Sequence, residues 1–482
     1  MMRRIAYCSP VTPIESGISD YSEELLPYLG QYAEISLFVE RGVTPANPQL
    51  RRHLAVHTLD ELPALHRKRP FDAIIYHLGN SPAHGAIYEL AQRLPGIVVL
   101  HEWVLHHLKL WHAAERRKDI GVYLREMQQR YGAAGERVAR QMSRGQLQDA
   151  AFRFPLVEDL IERADGLIGH SRYVVKQALA LRPDLPAAIV PMGVPLPPLL
   201  PPAEARAQLG LPLDAPIWAS FGHINPYKRM EAALRAFARF HAEQPTARYI
   251  LVGSVSPSYD LSGLIRRLGL ADAVTVTGYA PRAAFERYVA AADVCLNLRY
   301  PTAGETSASL LRLLGAGRPT LVSAVGSFAE LPPDVCAQVD VDRSEAELIL
   351  AYARLFQRQP AIAAQLGRNA RAFVAREHAL AGAAAGYLRF LSERYGWEPP
   401  TPQRPTLWNV ADAADPPVVA AEPTVSAPAE VLAATITEIG AAAAEIGVLD
   451  SDARPLEDIA ATLADLLDLP SARPGSSARS DA

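Results

Sequence analysis

Residues 298–323, LRYPTAGETSASLLRLLGAGRPTLVS, combine glycine, hydroxyl and charged side chains where a strand pattern gives way to a helix pattern. Glu305 directly precedes Thr306, Ser307 and Ser309, which open an apolar helix. Free backbone N–H groups and hydroxyls at a helix start form a site for an anion such as a phosphate. A carboxylate beside phosphate would be repelled, so Glu305 predicts contact with a neutral hydroxylated group such as a sugar. A capping acid on the first turn is the alternative.

Two cations lie in a similar position after an earlier apolar run. Residues 221–229 read FGHINPYKR, and the helical pattern MEAALRAFARF follows them. Gly222 opens the loop, while Lys228 and Arg229 stand at the helix start, where acidic residues are the usual choice. Basic residues are stable there if an anion shares the site, so this loop predicts a second contact to phosphate. For Lys228 the alternative is an ordinary solvated surface position.

The first half of the chain offers a glycine turn and two histidines. Residues 9–21, SPVTPIESGISDY, put Gly17 at a helix start, where the missing Cβ would let a diphosphate approach the main chain. His77 and Asn80 in IIYHLGN, and His101 in VVLHEW, follow two further apolar runs. Ligands of open α/β sheets bind beyond the carboxyl ends of strands, so these residues predict the floor of a polar pocket. Taken singly, a glycine turn or a histidine is more often structural.

The pattern of the whole chain predicts the frame that would hold these residues. Short apolar runs alternate with helical periodicity, which is typical of an α/β protein with parallel sheets covered by helices. The proline-dense residues 194–202, VPLPPLLPP, cannot continue a helix or a central strand and are interpreted as an interdomain linker. Strands are expected at Arg4–Ser9, Glu34–Val39, Ala73–His77, Ile97–His101, Gly166–His170 and Ala188–Pro191, and beyond the linker at Pro216–Gly222, Arg248–Gly253, Ala273–Gly278, Asp293–Leu298 and Pro319–Ser323.

Composition argues against several classes of protein. No apolar run reaches the length of about eighteen residues that a membrane span needs, and the first residues lack the apolar stretch of a signal peptide. Cys8, Cys295 and Cys336 are far apart and without metal-binding spacing, so we expect reduced thiols. No GxGxxG with an acid about 20 residues later follows a strand, which argues against a nicotinamide dehydrogenase. We expect a cytoplasmic protein without a nucleic-acid partner.

Charge is distributed unevenly along the chain. The net charge is −4, but fourteen acidic and four basic residues from Glu398 onward leave +6 on the preceding part. A mildly basic body suits an anionic ligand. The basic residues 113–145 predict a solvated helical face, with peripheral docking to the anionic inner face of a membrane as the alternative. Residues 397–430 predict a disordered Pro/Ala-rich linker, and residues 431–482 an acidic, partly helical tail that is a candidate for binding a protein partner.

Taken in order, these pieces resemble the family-4 retaining glycosyltransferases of the GT-B fold. The matching pieces cover about residues 1–395 and include SPVTPIESGISDYSEELLPYL, VVLHE, GHSRYVVKQAL, VPMGV, FGHINPYKRME, LVGS and VTVTGYAPRAAFERYVAAADVCLNLRYPTAGETSASLLRLLGAGRPTLVS. The resemblance implies two facing Rossmann-like domains, residues 1–195 on the acceptor side and residues 196–378 on the donor side. It also implies that residues 379–396 form a helix crossing back onto the first domain.

The resemblance implies a role for each candidate residue. Lys228 and Arg229 would neutralise the leaving nucleoside diphosphate, and His101 and Glu305 would hold the transferred sugar. His77 and Asn80 fall in the same predicted sugar and acceptor pocket. The donor diphosphate would lie against Gly17, Gly222, Thr306, Ser307 and Ser309. The base and ribose would lie against Gly278, Tyr279, Pro281 and Arg312.

One position departs from the family's Glu-x7-Glu motif. Eight residues after Glu305 lies Leu313, and alignment on GAGRP puts Arg312 where the second acid belongs. That acid holds the ribose in the family, so the resemblance implies a different ribose contact here. The same alignment matches Gly304, rather than Glu305, to the first acid unless the loop differs in length by one residue.

The activity that the resemblance implies is transfer of a hexosyl unit from a nucleoside-diphosphate sugar to a hydroxyl, with anomeric retention and without a metal ion. A glycan, a lipid-linked compound or a protein would be the acceptor. One alternative is a GT-B sugar-nucleotide epimerase. Another is a catalytically silent GT-B module that binds a nucleotide sugar, or binds a partner protein through the tail.

Overall fold

The computed structural model describes residues 2–146, 148–398 and 401–409. The predicted tail of residues 431–482 lies outside the described residues, as does most of the predicted linker of residues 397–430. The described residues form two parallel sheets, each covered by helices on both faces. The predicted α/β class, with two Rossmann-like domains, is confirmed.

The first sheet has seven strands among the described residues, in the order β3-β2-β1-β4-β5-β6-β7. Every neighbouring pair is parallel, as expected for strands joined by crossover helices. The strands are β1 Arg3–Cys8, β2 Ala33–Val39, β3 Ala55–Thr58, β4 Ala73–Leu78, β5 Ile97–Leu100, β6 Gly166–Gly169 and β7 Ala187–Ile189.

The second sheet repeats this arrangement with six strands in the order β10-β9-β8-β11-β12-β13. Its pairs are also parallel throughout. The strands are β8 Ile217–Phe221, β9 Arg248–Val252, β10 Val274–Val276, β11 Val294–Asn297, β12 Thr320–Ser323 and β13 Ala337–Val339.

Helices connect the strands and cover both sheets. Those of the first domain are α1 Gly17–Leu29, α2 Pro48–His53, α3 Leu62–Lys68, α4 Gly85–Ala91, α5 His106–Trp111, α6 Ile120–Met142, α7 Glu158–Arg163 and α8 Arg172–Leu181. The second domain follows with α9 Pro202–Leu209, α10 Met230–Glu243, α11 Leu261–Arg267, α12 Arg282–Ala291, α13 Ala308–Gly315, α14 Glu345–Arg358, α15 Pro360–Glu377 and finally α16 Leu380–Tyr395. Among the described residues, none of these helices is long and apolar enough to cross a membrane.

The central strands are apolar throughout because both of their faces are buried. In β1, Ile5 and Tyr7 pack into one core while Ala6 and Cys8 pack into the core on the opposite face. Successive side chains of a strand point to opposite faces, so a strand covered on both sides shows a continuous apolar run. The three cysteines are buried and free, as the sequence predicted.

The strand order puts one topological switch point in each sheet. The order reverses between β1 and β4 in the first sheet, and between β8 and β11 in the second. Ligands of doubly wound sheets bind outside the carboxyl ends of the strands at such points. His77 lies near the end of β4, Gly17 begins the helix that follows β1, and the loops after β8 and β11 carry Gly222 and Glu305, so the predicted residues fall at both switch points.

Two segments after the second sheet return to the first domain. Helix α16 packs against α1, and the hydroxyl of Tyr21 donates to the hydroxyl of Tyr387 at 3.2 Å. Residues 401–409 then run along the end of α1, where Leu407 N donates to Pro27 O at 3.2 Å and Trp408 is buried. The prediction of a disordered linker from residue 397 is therefore wrong for residues 401–409, because this segment has apolar side chains that pack on the first domain.

Candidate active site

The predicted phosphate-binding loop of the second domain folds around two glycines. After β8, Gly222 has a φ of 87°, a conformation that glycine adopts without strain. A Cβ on Gly253 would lie 2.1 Å from the carbonyl oxygen of Gly222, so only glycine fits where the two loops meet. Lys228 Nζ donates to the carbonyl oxygen of Phe221 at 2.9 Å, which holds the ammonium beside this loop.

Side chains from two loops converge at Gly222. An ideal Cβ built on Gly222 would lie 2.9 Å from Lys228 Nζ and 3.9 Å from Ser309 Oγ. Tyr300 N also donates to the carbonyl oxygen of Tyr227 at 2.9 Å, so the loop that carries Lys228 adjoins the loop that carries Glu305. One small space is therefore bordered by the Lys228 ammonium, the Ser309 hydroxyl and the main chain of Gly222.

Helix α13 begins at this space. Ser307 is its N-cap and accepts from Leu310 N at 3.2 Å, so the helix starts at Ala308, two residues later than Thr306. The uncapped N–H groups of the first turn and the helix dipole favour negative charge at this end. With the Lys228 ammonium opposite, the arrangement suits a phosphate.

A histidine beside Lys228 is kept neutral. Burial, and then the charge of Lys228, lower the pKa of His223 to about 4. Its Nδ1 lies 2.9 Å from Ser254 Oγ. The loop therefore presents the fixed charge of Lys228 without a second titrating cation near neutral pH.

Arg229 is held in an ion pair within the second domain. Its guanidinium forms an ion pair with Glu345, whose side chain is 3% exposed, and Nε donates to both carboxylate oxygens at 3.0 and 3.1 Å. This pairing raises the pKa of Arg229. The role predicted for Arg229 in neutralising a diphosphate stays a prediction, and it would have to be shared with Glu345.

Glu305 is held by neighbours of its own loop. Arg299 Nη1 lies 2.8 Å from Glu305 Oε1, and Thr302 Oγ1 donates to Oε2 at 2.9 Å. The preceding Gly304, with a φ of 79°, lies so close to the first domain that a Cβ would be 2.5 Å from the ring of Tyr173. Glu305 thus lies where the two domains meet, and its contact with a sugar stays a prediction.

Arg312 forms a contact between the domains that the sequence did not predict. Its Nη2 lies 2.6 Å from Oε1 of Glu24 on α1, and Arg282 Nη1 lies 3.1 Å from the same oxygen. Glu24 is buried, with its side chain 7% exposed. One carboxylate of the first domain therefore holds two arginines of the second.

The residues predicted to contact the base lie on the rim of the second domain. Gly278 has a φ of 71° and pairs with Gly253 in an isolated bridge. Tyr279 is 70% exposed, and Pro281 is the N-cap residue of α12. An exposed aromatic ring beside a glycine turn suits stacking against a flat ring system, but this role stays a prediction.

The first domain contributes an open helix start. Gly17 is the first residue of α1, and Ser16 caps the helix by accepting from Ser19 N at 3.0 Å. A Cβ on Gly17 would have no atom within 4 Å, so there is free space in front of it. The predicted approach of a diphosphate to this main chain stays a prediction.

His77 and Asn80 need correction as pocket-lining residues. His77 is fully buried and Asn80 is 1% exposed. The Asn80 carboxamide is used to cap α5, because Oδ1 accepts from the backbone N–H groups of His107 and Leu108 at 2.9 and 3.0 Å. Neither side chain is exposed at the predicted pocket floor, whereas His101 is 6% exposed and its Nε2 lies 3.0 Å from His77 Nδ1.

Other contacts bring the two domains together around this region. Trp103 N donates to the carbonyl oxygen of Ala303 at 2.6 Å. The carboxylate of Glu330 accepts from the backbone N–H groups of Arg172 and Tyr173, at 2.9 and 2.5 Å, and so caps α8 across the interface. Glu24 and Glu330 were missed from sequence, since neither stands in a motif that names a distant partner.

Known proteins share this fold. Sucrose-phosphate synthase from Thermosynechococcus elongatus superposes with a TM-score of 0.61 at 20% identity, covering 82% of this chain and 99% of that one. The Anabaena protein HepE, solved in complex with UDP, superposes with a TM-score of 0.58 at 17% identity, covering 81% and 100%. Two Rossmann-like domains with the loops of both switch points facing one another define the GT-B class of structures.

Sequence comparison adds a family for the second domain. Residues 202–373, which make up most of the second domain, match the family described as Glycosyl transferases group 1. The D-inositol 3-phosphate glycosyltransferase of Streptomyces avermitilis is 29% identical over 310 residues, covering 60% of this chain and 64% of that protein. The match to its Kineococcus radiotolerans counterpart covers 46% of that protein, so the chain matches about half to two thirds of the length of these relatives.

Proposed function

We propose that this protein transfers a sugar from a nucleoside-diphosphate sugar to an acceptor hydroxyl, with retention of the anomeric configuration and without a metal ion. The observation that carries the proposal is the convergence of Lys228 Nζ, Ser309 Oγ and the start of α13 on the space beside Gly222. The match of residues 202–373 to the glycosyl transferases group 1 family supports it.

The chemistry follows from where negative charge develops. When the bond between the anomeric carbon and the diphosphate breaks, the leaving group gains charge on its phosphate oxygens. A fixed ammonium and the dipole of α13 stabilise that charge more in the transition state than in the ground state. Lys228 would act on the leaving group directly, while Glu305 and His101 would hold the sugar at the domain interface.

Relatives suggest which substrates to test first. HepE was solved in complex with UDP-glucose, which makes UDP the first nucleotide and glucose the first sugar to examine. The names of the matching Streptomyces and Kineococcus proteins make D-inositol 3-phosphate the first acceptor. A thermal-shift screen against UDP, GDP, ADP and their sugars identifies the donor, because a ligand that binds only the folded state raises the melting temperature.

Lys228→Ala tests the leaving-group role. Loss of one preorganised charge should lower kcat by about 10²–10³ while the protein remains folded. Lys176→Ala is the matched control, since Lys176 is an exposed lysine on α8, outside the proposed site. A folded Lys228→Ala protein with the wild-type rate would remove the proposed role of the ammonium.

Three further measurements separate the proposal from its alternatives. Release of free nucleoside diphosphate only when acceptor is present indicates transfer, whereas conversion of the donor sugar without acceptor indicates an epimerase. NMR of the new anomeric proton reports retention or inversion, and a rate unchanged by EDTA is expected. Donor binding with no turnover, with any acceptor, would favour a catalytically silent module.

A further inference from the structure

A hydrogen bond joins two imidazole rings at the carboxyl ends of β4 and β5. His77 Nδ1 lies 3.0 Å from His101 Nε2. His77 is fully buried, packed against the rings of Tyr7 and Tyr387, while His101 is 6% exposed. A bond between two ring nitrogens requires one of them to carry the proton and the other to accept it.

The remaining nitrogen of His77 decides which ring donates. His77 Nε2 is buried and has no hydrogen-bond partner among the described residues. If His101 donated, a neutral His77 would carry its proton on Nε2, which would leave a buried N–H group without an acceptor. If His77 donates from Nδ1, Nε2 is only a bare lone pair. Buried N–H groups without a partner are rarer than under-satisfied acceptors, so His77 is the donor.

Neighbouring histidines follow the same rule. His84 Nδ1 lies 3.0 Å from the carbonyl oxygen of His77, and His170 Nδ1 lies 2.9 Å from that of Val190. A carbonyl oxygen can only accept, so both rings carry the proton on Nδ1. In both, Nε2 is buried without a partner among the described residues, as it is in His77.

The charged forms of these rings are disfavoured. Burial lowers the pKa of His77 and of His101 well below the ordinary histidine value, and His170 and His84 lower both further. Both rings are therefore neutral near pH 7. A neutral His101 that accepts on Nε2 must carry its proton on Nδ1.

The other nitrogen of His101, Nδ1, belongs to a residue that is not fully buried. Nδ1 makes no hydrogen bond within the described part of the chain, and His101 keeps an exposed fraction of 6%. Two residues later, Trp103 N bonds to Ala303 of the second domain, which puts His101 at the domain interface.

We infer that His77 is a positioning residue that fixes the tautomer of His101, so that His101 presents a neutral Nδ1–H donor to an oxygen of the bound sugar. The tautomer itself follows from the hydrogen bonds alone; the sugar as its acceptor rests on the proposed function. Such a donor holds a hydroxyl oxygen but cannot remove a proton, so His101 orients the sugar and is not a general base.

The tautomer is measurable without substrate or turnover. In the protein labelled with ¹⁵N at histidine, long-range ¹H–¹⁵N correlation spectra distinguish a protonated Nδ1 from a protonated Nε2. We expect His101 in the Nδ1–H form in the wild type. His77→Asn, whose carboxamide N–H can replace Nδ1–H, should keep it. His77→Phe keeps a ring but has no donor, so His101 loses the hydrogen bond that holds its ring in place, while its Nε2 faces an apolar ring as a bare acceptor.

Binding measurements connect the tautomer to the sugar. His77→Phe should weaken binding of the nucleoside-diphosphate sugar about tenfold and leave binding of the nucleoside diphosphate unchanged, with His77→Asn close to wild type. A wild-type His101 protonated on Nε2, or a folded His77→Phe protein that keeps the sugar affinity, would overturn the inference. If His77→Phe does not fold, the wild-type spectrum and His77→Asn still decide it. A wild type that binds no nucleotide sugar would count against the proposed function while leaving the tautomer measurement valid.

Discussion

Acidification from pH 7 to pH 5 is expected to destabilise this fold, because its buried histidines must stay neutral. Burial lowers the pKa of His84, His106 and His170 to about 4, and that of His107 to about 3. In the unfolded chain these rings take up protons near the ordinary histidine pKa of about 6.5. Between that value and the folded-state pKa, the unfolded state holds more protons than the folded state, so stability is lost as the pH falls.

The size of the loss follows from the width of that window. One pKa unit corresponds to about 1.4 kcal/mol, so each ring costs roughly 2 kcal/mol by pH 5, and these four rings together cost about 8 kcal/mol. Single domains have a total stability of about 5–15 kcal/mol, so the change is large. Urea unfolding followed by circular dichroism at pH 7, 6 and 5 measures it as a falling free energy of unfolding.

A matched pair of variants isolates the histidine contribution. His106→Gln removes one titrating ring and should reduce the loss between pH 7 and pH 5 by about 2 kcal/mol. His53→Gln changes an exposed histidine and should leave the pH dependence as it is. A free energy of unfolding that stays level from pH 7 to pH 5 in the wild type would refute the reasoning, since these rings would then not be excluded from water in the folded chain.

Three further substitutions probe the domain interface and the cation site. Gly304→Ala would press a Cβ against the Tyr173 ring at 2.5 Å, so small-angle scattering should show the domains moving apart and donor affinity should fall about tenfold; unchanged scattering would contradict this contact. Glu24→Ala leaves Arg282 and Arg312 without their shared carboxylate and should cost about 3 kcal/mol in calorimetry, whereas an unchanged melting temperature would count against a buried pair. Arg229→Ala leaves the buried Glu345 carboxylate without its ion-pair partner, so it should lower the melting temperature clearly and nucleotide affinity little. A large loss of nucleotide affinity with an unchanged melting temperature would mean that Arg229 mainly binds the ligand.

The central strands were predictable because they are buried on both faces and show unbroken apolar runs. All eleven predicted strands correspond to strands of the structure, with ends shifted by one or two residues. Two strands were missed, β3 and β13, both at the edges of their sheets. Strand β3, with the sequence AVHT, is only partly buried, and β13 has three residues, so neither shows the apolar run of a central strand.

The candidate site was predictable only where one loop defines it. Gly222 and Lys228 lie within one short segment after a strand, so their proximity follows from the sequence. The partner of Arg229 is 116 positions away, and that of Arg312 is 288 positions away. No local pattern identifies such partners, because they meet only when two helices or two domains pack. The same limit explains why Asn80, which stands in a pocket-like motif, instead caps α5.

The family resemblance implies that Arg312 lies beside the ribose, and the ion pair between Arg312 and Glu24 limits what that predicted contact can be. A carboxylate at this position would repel Glu24, whereas the guanidinium attracts it and links the second domain to α1. A guanidinium has five N–H groups, and among the described residues Glu24 accepts from Nη2 alone. Arg312 can therefore donate to ribose oxygens and hold Glu24 at the same time, so nucleotide binding need not break the contact between the domains. Arg312 stands where the family has a carboxylate, so N–H groups that only donate take the place of oxygens that only accept. A nucleotide whose ribose hydroxyls are exchanged for groups that only accept should therefore still bind. A 2′,3′-difluoro nucleotide analogue that binds no better than the dideoxy compound would contradict this role of Arg312.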